Sequence, residues 1–215
     1  MATYGLHCFG ESGNSFKVAA FLNCAGLDWE VIPVDFFNGQ SRDPTWRESV
    51  NPMGEVPVLD IDDERLTQTG VMLTELAKTT GQFAPDADDA SQREALRWLL
   101  FDNHKFTSYF ATHRFLYALV PGGADPAVLA FLRGRAEAAL AIVDKHLAKK
   151  PFMLGERPTY VDFSLCGYMF YPTQEHGFDF KSDFANLEAW RQRMAALPGW
   201  KGPYELMPRA MNAPA

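Results

Sequence analysis

Apolar and polar positions change rhythm once along this chain of 215 residues. Up to about residue 80, short apolar runs of strand length alternate with stretches at helical spacing. Tyr4–Phe9 reads as a strand. Asn14–Ala25 repeats Phe16, Val18, Ala19, Phe21 and Leu22 on a helical face and ends at Gly26, a natural C-cap. Trp29–Val34 reads as a second strand, so the first three elements form a βαβ unit with parallel strands. Val56–Ile61 and Arg65–Thr67 are short strands joined by the acidic turn Asp62-Asp63-Glu64, a hairpin pattern. Val71–Lys78 continues as a helix that starts at Thr69. The order βαβ-α-ββα predicts a small mixed sheet with helices packed on it.

The second rhythm is helical throughout. Gly81–Asp89 has linker composition, with Pro85, Asp86, Asp88 and Asp89. Ala90–Leu119 reads as one long helix stopped by Pro121-Gly-Gly. Asp125-Pro126 opens the next, with Asp at the N-cap and Pro in the first turn, and runs to about Lys149. Thr159 opens a third helix. Phe184–Ala196 forms a fourth, stopped by Pro198-Gly199, and the stretch after Trp200 reads as irregular. No internal repeat or low-complexity segment interrupts these elements.

Charge and composition narrow the function. The net charge of −7 argues against nucleic acid as a main partner. No apolar run is long enough for a membrane-spanning helix, and no leader pattern opens the chain. Cys8, Cys24 and Cys166 are odd in number and widely spaced, forming no zinc pattern and no CxxC pair. They read as buried, reduced thiols in a cytoplasmic protein.

The richest stretch is Asn51-Pro-Met-Gly-Glu-Val-Pro-Val-Leu59, followed by Leu66-Thr-Gln-Thr69. Pro57 cannot donate to a sheet ladder, and a cis Val56-Pro57 bond in a tight turn is one solution. That turn frees the N–H and C=O of Val56 for an extended, peptide-like ligand docked by strand addition. Gln68 and Thr69 sit at a helix start, where an anion is stabilised. A small peptide carrying a carboxylate fits both halves.

These motifs, together with Gly155-Glu-Arg-Pro-Thr-Tyr-Val-Asp162, resemble the cytosolic glutathione transferase family over nearly the whole chain, in its bacterial Ser/Asn type. In the last motif Thr159 caps a helix and Asp162 reaches back to it. The resemblance implies an α/β thioredoxin-like domain over residues 1–81 that binds glutathione, and an all-helical domain over 90–215 that lines a hydrophobic substrate site. It implies glutathione as co-substrate, no metal, a small hydrophobic electrophile as second substrate, and a homodimer.

For such an enzyme the chemistry falls in Glu11-Ser-Gly-Asn-Ser-Phe-Lys-Val18, where a helix begins and its dipole favours the substrate thiolate. Matching the family's Ser-x-x-Ser/Cys pattern gives Ser12 the thiolate contact, with Asn14 and Ser15 as neighbours that compete for it. Ser12-Gly13-Asn14 also resembles the Thr-Pro-Asn arrangement of relatives that handle glutathione disulfide, in which Asn14 shares the thiolate. As plain residues, Ser12 and Thr69 serve equally well as helix caps. The resemblance adds Glu55, Val56, Pro57, Gln68 and Thr69 as glutathione contacts, and Arg42 as a cation for the glycyl carboxylate. Phe106, Tyr109 and His113, on the aromatic stripe of the long helix, are the implied electrophile pocket, against the plain alternative of core packing. Tyr168, Phe170 and Tyr171 are divided in the same way between a far wall and the core. Tyr4 reads as core, Lys17 as a solvated helix residue, and His104 and His176 show no metal spacing. Two rival functions remain: a glutathione-disulfide oxidoreductase, and a non-catalytic member that binds a partner.

Overall fold

The computed structural model describes residues 3–210. Four strands form one sheet: β1 (Tyr4–Cys8), β2 (Trp29–Pro33), β3 (Val58–Ile61) and β4 (Glu64–Thr67), in the order β2-β1-β3-β4. β1 pairs parallel with β2, while β3 runs antiparallel to both β1 and β4. Leu6 stands opposite Val31 on one side and Leu59 on the other, and both leucines are fully buried. The third strand begins at Val58 rather than Val56, so the Val56-Pro57 step lies ahead of the ladder, where a missing N–H costs nothing.

Helix α1 (Gly13–Cys24) starts where the Ser12 side chain accepts from the Ser15 N–H at 3.1 Å. Nine of its twelve residues are buried, because it lies between the sheet with α3 (Thr69–Thr80) on one side and α7 (Tyr160–Cys166) on the other. Lys17 is among the buried ones, which corrects the solvated reading. Its ammonium meets Asp102 and the Thr107 hydroxyl, each at 2.8 Å. A short helix α2 (Pro44–Ser49), capped by Asp43, packs Trp46 in a small cluster with Val34 and Val58.

The stretch with linker composition is tied down rather than loose. Arg157 holds Ala84 and Asp86, and Tyr160 N–H donates to Phe83 O. The long helix is continuous but not uniform. It consists of α4 (Asp89–Phe101), a wide π turn (Asp102–Phe106), α5 (Thr107–Arg114) and a second wide turn (Phe115–Leu119). α6 (Pro126–Leu147) packs along α5 and α9 (Ala185–Ala195). At the start of α7, Asp162 accepts from the Thr159 N–H at 2.8 Å, and also from Met153 N–H and Trp190 Nε1, each at 2.9 Å. α8 (Phe180–Asp183) is a single turn. The stretch after Trp200 is not irregular throughout: α10 (Pro203–Leu206) forms there, and Met207 is buried. One apolar core joins both parts of the chain, with Phe21 and Phe83 meeting Phe163 at ring-centre distances of 5.2 and 4.7 Å.

Candidate active site

The carboxyl end of β1, the loop before β3 and the start of α3 converge on a cavity of about 400 Å³, faced on its far side by α5, the two wide turns that flank it and Tyr168. Three backbone features shape it. At the first, the turn after β1 brings Ser12 to the wall. Its Oγ accepts from Ser15 N–H, so its own O–H remains to donate, and Ser12 N–H donates back to Phe9 O at 3.1 Å. The first-turn N–H groups of α1 point the same way, and their dipoles favour negative charge there.

At the second, Gly54–Pro57 forms the opposite wall. The Val56–Pro57 bond is cis. Gly54 has φ of +70°, and a methyl group there would meet the Arg47 Nε at 2.6 Å and Ser41 O at 2.8 Å, so glycine is required on both counts. Asn51 shapes the loop by donating to Glu55 O at 2.8 Å and accepting from Met53 N–H at 3.1 Å. The N–H and C=O of Val56 have no hydrogen-bond partner among the described residues. At the third, Gln68 has φ of +68° and turns the chain into α3. Its amide donates to Glu55 Oε2 at 2.6 Å, and Thr69 follows in the first turn of the helix.

The helical side supplies Asn103, Ala111, Thr112, Phe115, Leu119 and Tyr168. Opposite Phe115, three phenylalanines form an aromatic edge. Phe9 stacks on Phe36 at 4.5 Å, and Phe36 meets Phe37 edge-on at 5.6 Å. The Tyr168 ring covers the start of α1 so closely that a methyl on Gly13 would lie 2.6 Å from it. Burial pushes the Tyr168 phenol above its ordinary range, and the charge of Arg114 partly opposes this. Arg114 is buried at the cavity floor. It donates to Glu11 O at 2.6 Å and to Glu175, and its guanidinium stacks 3.7 Å over Tyr171.

The cavity therefore brings together Ser12, Asn14, Glu55, Val56, Pro57, Gln68 and Thr69. It does not include Ser15, which is fully buried one residue further into α1 with no partner for its hydroxyl among the described residues. Arg42 also lies outside, over Gly39 in a separate depression between Asp35 and Asp43.

Phe106, Tyr109 and His113, read from sequence as pocket residues, face away from the cavity. Phe106 and Phe110 are buried, with Phe110 stacked on Phe178 at 4.9 Å. His113 is buried between Tyr117 and Phe178, and Tyr109 pairs with Arg135. The reason is hydrophobic. The larger aromatic stripe gains most where no water reaches, so it turns to α6 and α8 and leaves the mixed stripe of Ala111, Thr112 and Phe115 to the cleft. Sequence reasoning missed Phe36, Phe37, Phe115, Glu11 and Arg114. A pair of phenylalanines in a loop and an arginine inside an apolar helical run were the available signals.

Residues 11–79 match the family model for the glutathione S-transferase N-terminal domain, and residues 126–193 match the one for the C-terminal domain. The chain is 28% identical to glutathione S-transferase 3 of Zea mays over 170 residues, covering 75% of each. It is 31% identical to the maleylacetoacetate isomerase of Rhizobium meliloti over 167 residues, 74% of this chain and 77% of that one. A solved structure of a possible glutathione S-transferase from Rhodopseudomonas palustris superposes with a TM-score of 0.84 at 30% identity, covering 93% of this chain and 89% of that one.

Proposed function

This chain belongs to the glutathione S-transferase family, and we propose that it binds reduced glutathione and aims the thiolate at a hydrophobic electrophile. Residues 1–81 act as the glutathione-binding domain and 90–215 as the domain that supplies the electrophile wall. The γ-glutamyl carboxylate takes the Gln68 amide and the Thr69 end of α3. The cysteinyl backbone pairs with the free N–H and C=O of Val56. The sulfur then reaches the Ser12 hydroxyl and the start of α1.

One observation carries this reading: Ser12, with its proton free to donate, lines the same cavity as the unpaired Val56 backbone and the Gln68-Thr69 helix start. A thiol titrates near 8.5, and a hydroxyl donor at a helix start favours its ionised form. The thiol proton leaves to solvent, the sulfur lone pair forms the new bond, and the electrophile's leaving group departs with its electrons. Phe36 and Phe115 supply an apolar wall for an electrophile. Asn14 beside Ser12 supports the Ser/Asn type, and it is also what favours a second reading, reduction of glutathione disulfide. The exposed Val71, Leu96 and Leu100, grouped on α3 and α4 beside the cavity, support pairing of two copies.

Calorimetric titration with reduced and oxidised glutathione tests the proposal. Reduced glutathione is expected to bind at millimolar or better, and Gln68→Ala to weaken it by about tenfold. Ser12→Ala is expected to cut kcat by roughly 10²–10³ with little change in affinity. Tighter binding of the disulfide would move the second reading to first place. No binding of either form would overturn both.

A further inference from the structure

The turn that presents Ser12 is held from the helical half of the chain, by Arg114, Tyr171 and the stretch Pro208–Ala210. Gly10 N–H donates to Pro208 O at 2.9 Å, and Gly10 O accepts from the Tyr171 hydroxyl at 2.7 Å. Glu11 O accepts from Arg114. The contact with Pro208 requires glycine, since a methyl on Gly10 would lie 2.6 Å from Pro208 O. The sheet supplies none of these partners.

Glu11 is 2% exposed and immediately precedes Ser12. Its Oε2 accepts from the Ala210 N–H at 3.1 Å, and its Oε1 has no partner among the described residues. Ala210 is thus the one hydrogen-bond donor its carboxylate has among these residues. Arg209 fastens the same stretch by pairing with Glu175 at 3.2 Å and stacking 3.8 Å over Tyr204. Glu175 also receives Arg114, so one cluster ties the stretch to the cavity floor.

We propose that Pro208–Ala210 is a positioning element for Ser12, acting through Gly10 and Glu11, and that it governs how well the site stabilises the thiolate of bound glutathione. A buried carboxylate that loses a donor turns toward water, and the residue bonded to it moves with it. The hydroxyl contact to sulfur is directional and suffers from small displacements. The contacts at Gln68, Thr69 and Val56 lie on other elements and stay in place. The inference rests on Ser12 meeting the thiolate, as proposed above.

The test uses the full chain with Ala210→Pro, which removes that single N–H, and a second variant ending after Met207. Ultraviolet absorbance of the bound thiolate is followed against pH, and glutathione affinity is measured at acidic pH, where the bound thiol is protonated. The thiolate midpoint is expected to rise by about one unit in both variants, with the acidic affinity unchanged. An unmoved midpoint in either folded variant overturns the inference, even if the melting temperature falls, because the stretch would then serve stability alone. A wild-type protein that binds no glutathione overturns the proposed function and this inference together.

Discussion

Asp102→Ala should be among the most damaging single substitutions outside the cavity, and its cost follows from three contacts. Lys17 and Asp102 meet at 2.8 Å with side chains only 2% and 3% exposed. Asp102 also accepts from Thr107 and Ser164, each at 2.6 Å. Removing the carboxylate leaves a buried ammonium with one neutral acceptor, Thr107. Breaking a buried pair from one side costs about 3–5 kcal/mol, which lowers the melting temperature of a chain of this size by roughly 6–20 °C. Lys17→Met should cost less, about 2–3 kcal/mol, because two hydroxyls still serve Asp102. The double variant Lys17→Met/Asp102→Ala should fall at least about 2 kcal/mol short of the summed single costs, since no lone charge remains. Urea unfolding followed by both circular dichroism and tryptophan fluorescence measures all three, with coincident transitions as the check on two-state behaviour. An Asp102→Ala variant within about 1 kcal/mol of wild type, or fully additive costs, would refute the reasoning.

Two further outcomes are expected. His176 accepts from Phe178 N–H at Nδ1 (3.0 Å) and faces Tyr171 O with Nε2 (3.2 Å), and burial holds its pKa down at about 4, opposed by the Tyr171 carbonyl and Glu175 and reinforced by Arg114 and Arg191. The unfolded chain therefore binds the extra proton between about pH 4 and 6.5, so stability should fall by about 3 kcal/mol as pH drops through that window; His176→Gln should flatten this part of the profile, and an unchanged slope would remove His176 as its source. Asp162→Ala should cost about 3–5 kcal/mol in the same urea assay, because the carboxylate is fully buried and serves Thr159, Met153 and Trp190; a loss under about 1 kcal/mol would mean those donors find other partners.

The elements were legible because their ends are chemically marked. Ser12, Asp43, Asp125 and Thr159 stand at helix starts and Gly81 at a helix end, and short apolar runs of strand length set β1 to β4 apart from the helices beyond Gly81. The cavity wall at Val56-Pro57 and Gln68-Thr69 was legible because one local motif forms it. The opposite wall was not. A helical stripe of Phe106, Phe110 and His113 announces a dry face, but periodicity does not say which neighbour dries it. Two wide turns in the same run also shift the angular positions on which a uniform helix reading depends. Lys17 was misread for a related reason. A lysine is buried only when a partner waits for it, and that partner lies 85 residues away. The hold of Pro208 and Ala210 on Gly10 and Glu11 is more distant still, and it runs largely through backbone groups that leave no residue signature.

Helix α1 carries a consequence for anyone recombining such proteins. With nine of twelve residues enclosed, it has no side of its own to show to water. A chimera that joined the first eighty residues of this chain to the helices of a relative would have to match α7 against α1 at Phe163, Gly167 and the Lys17 socket. Sequence identity elsewhere would matter little. Breakpoints placed on either side of that seam, so that α1 and α7 travel together, are the ones that leave a foldable hybrid.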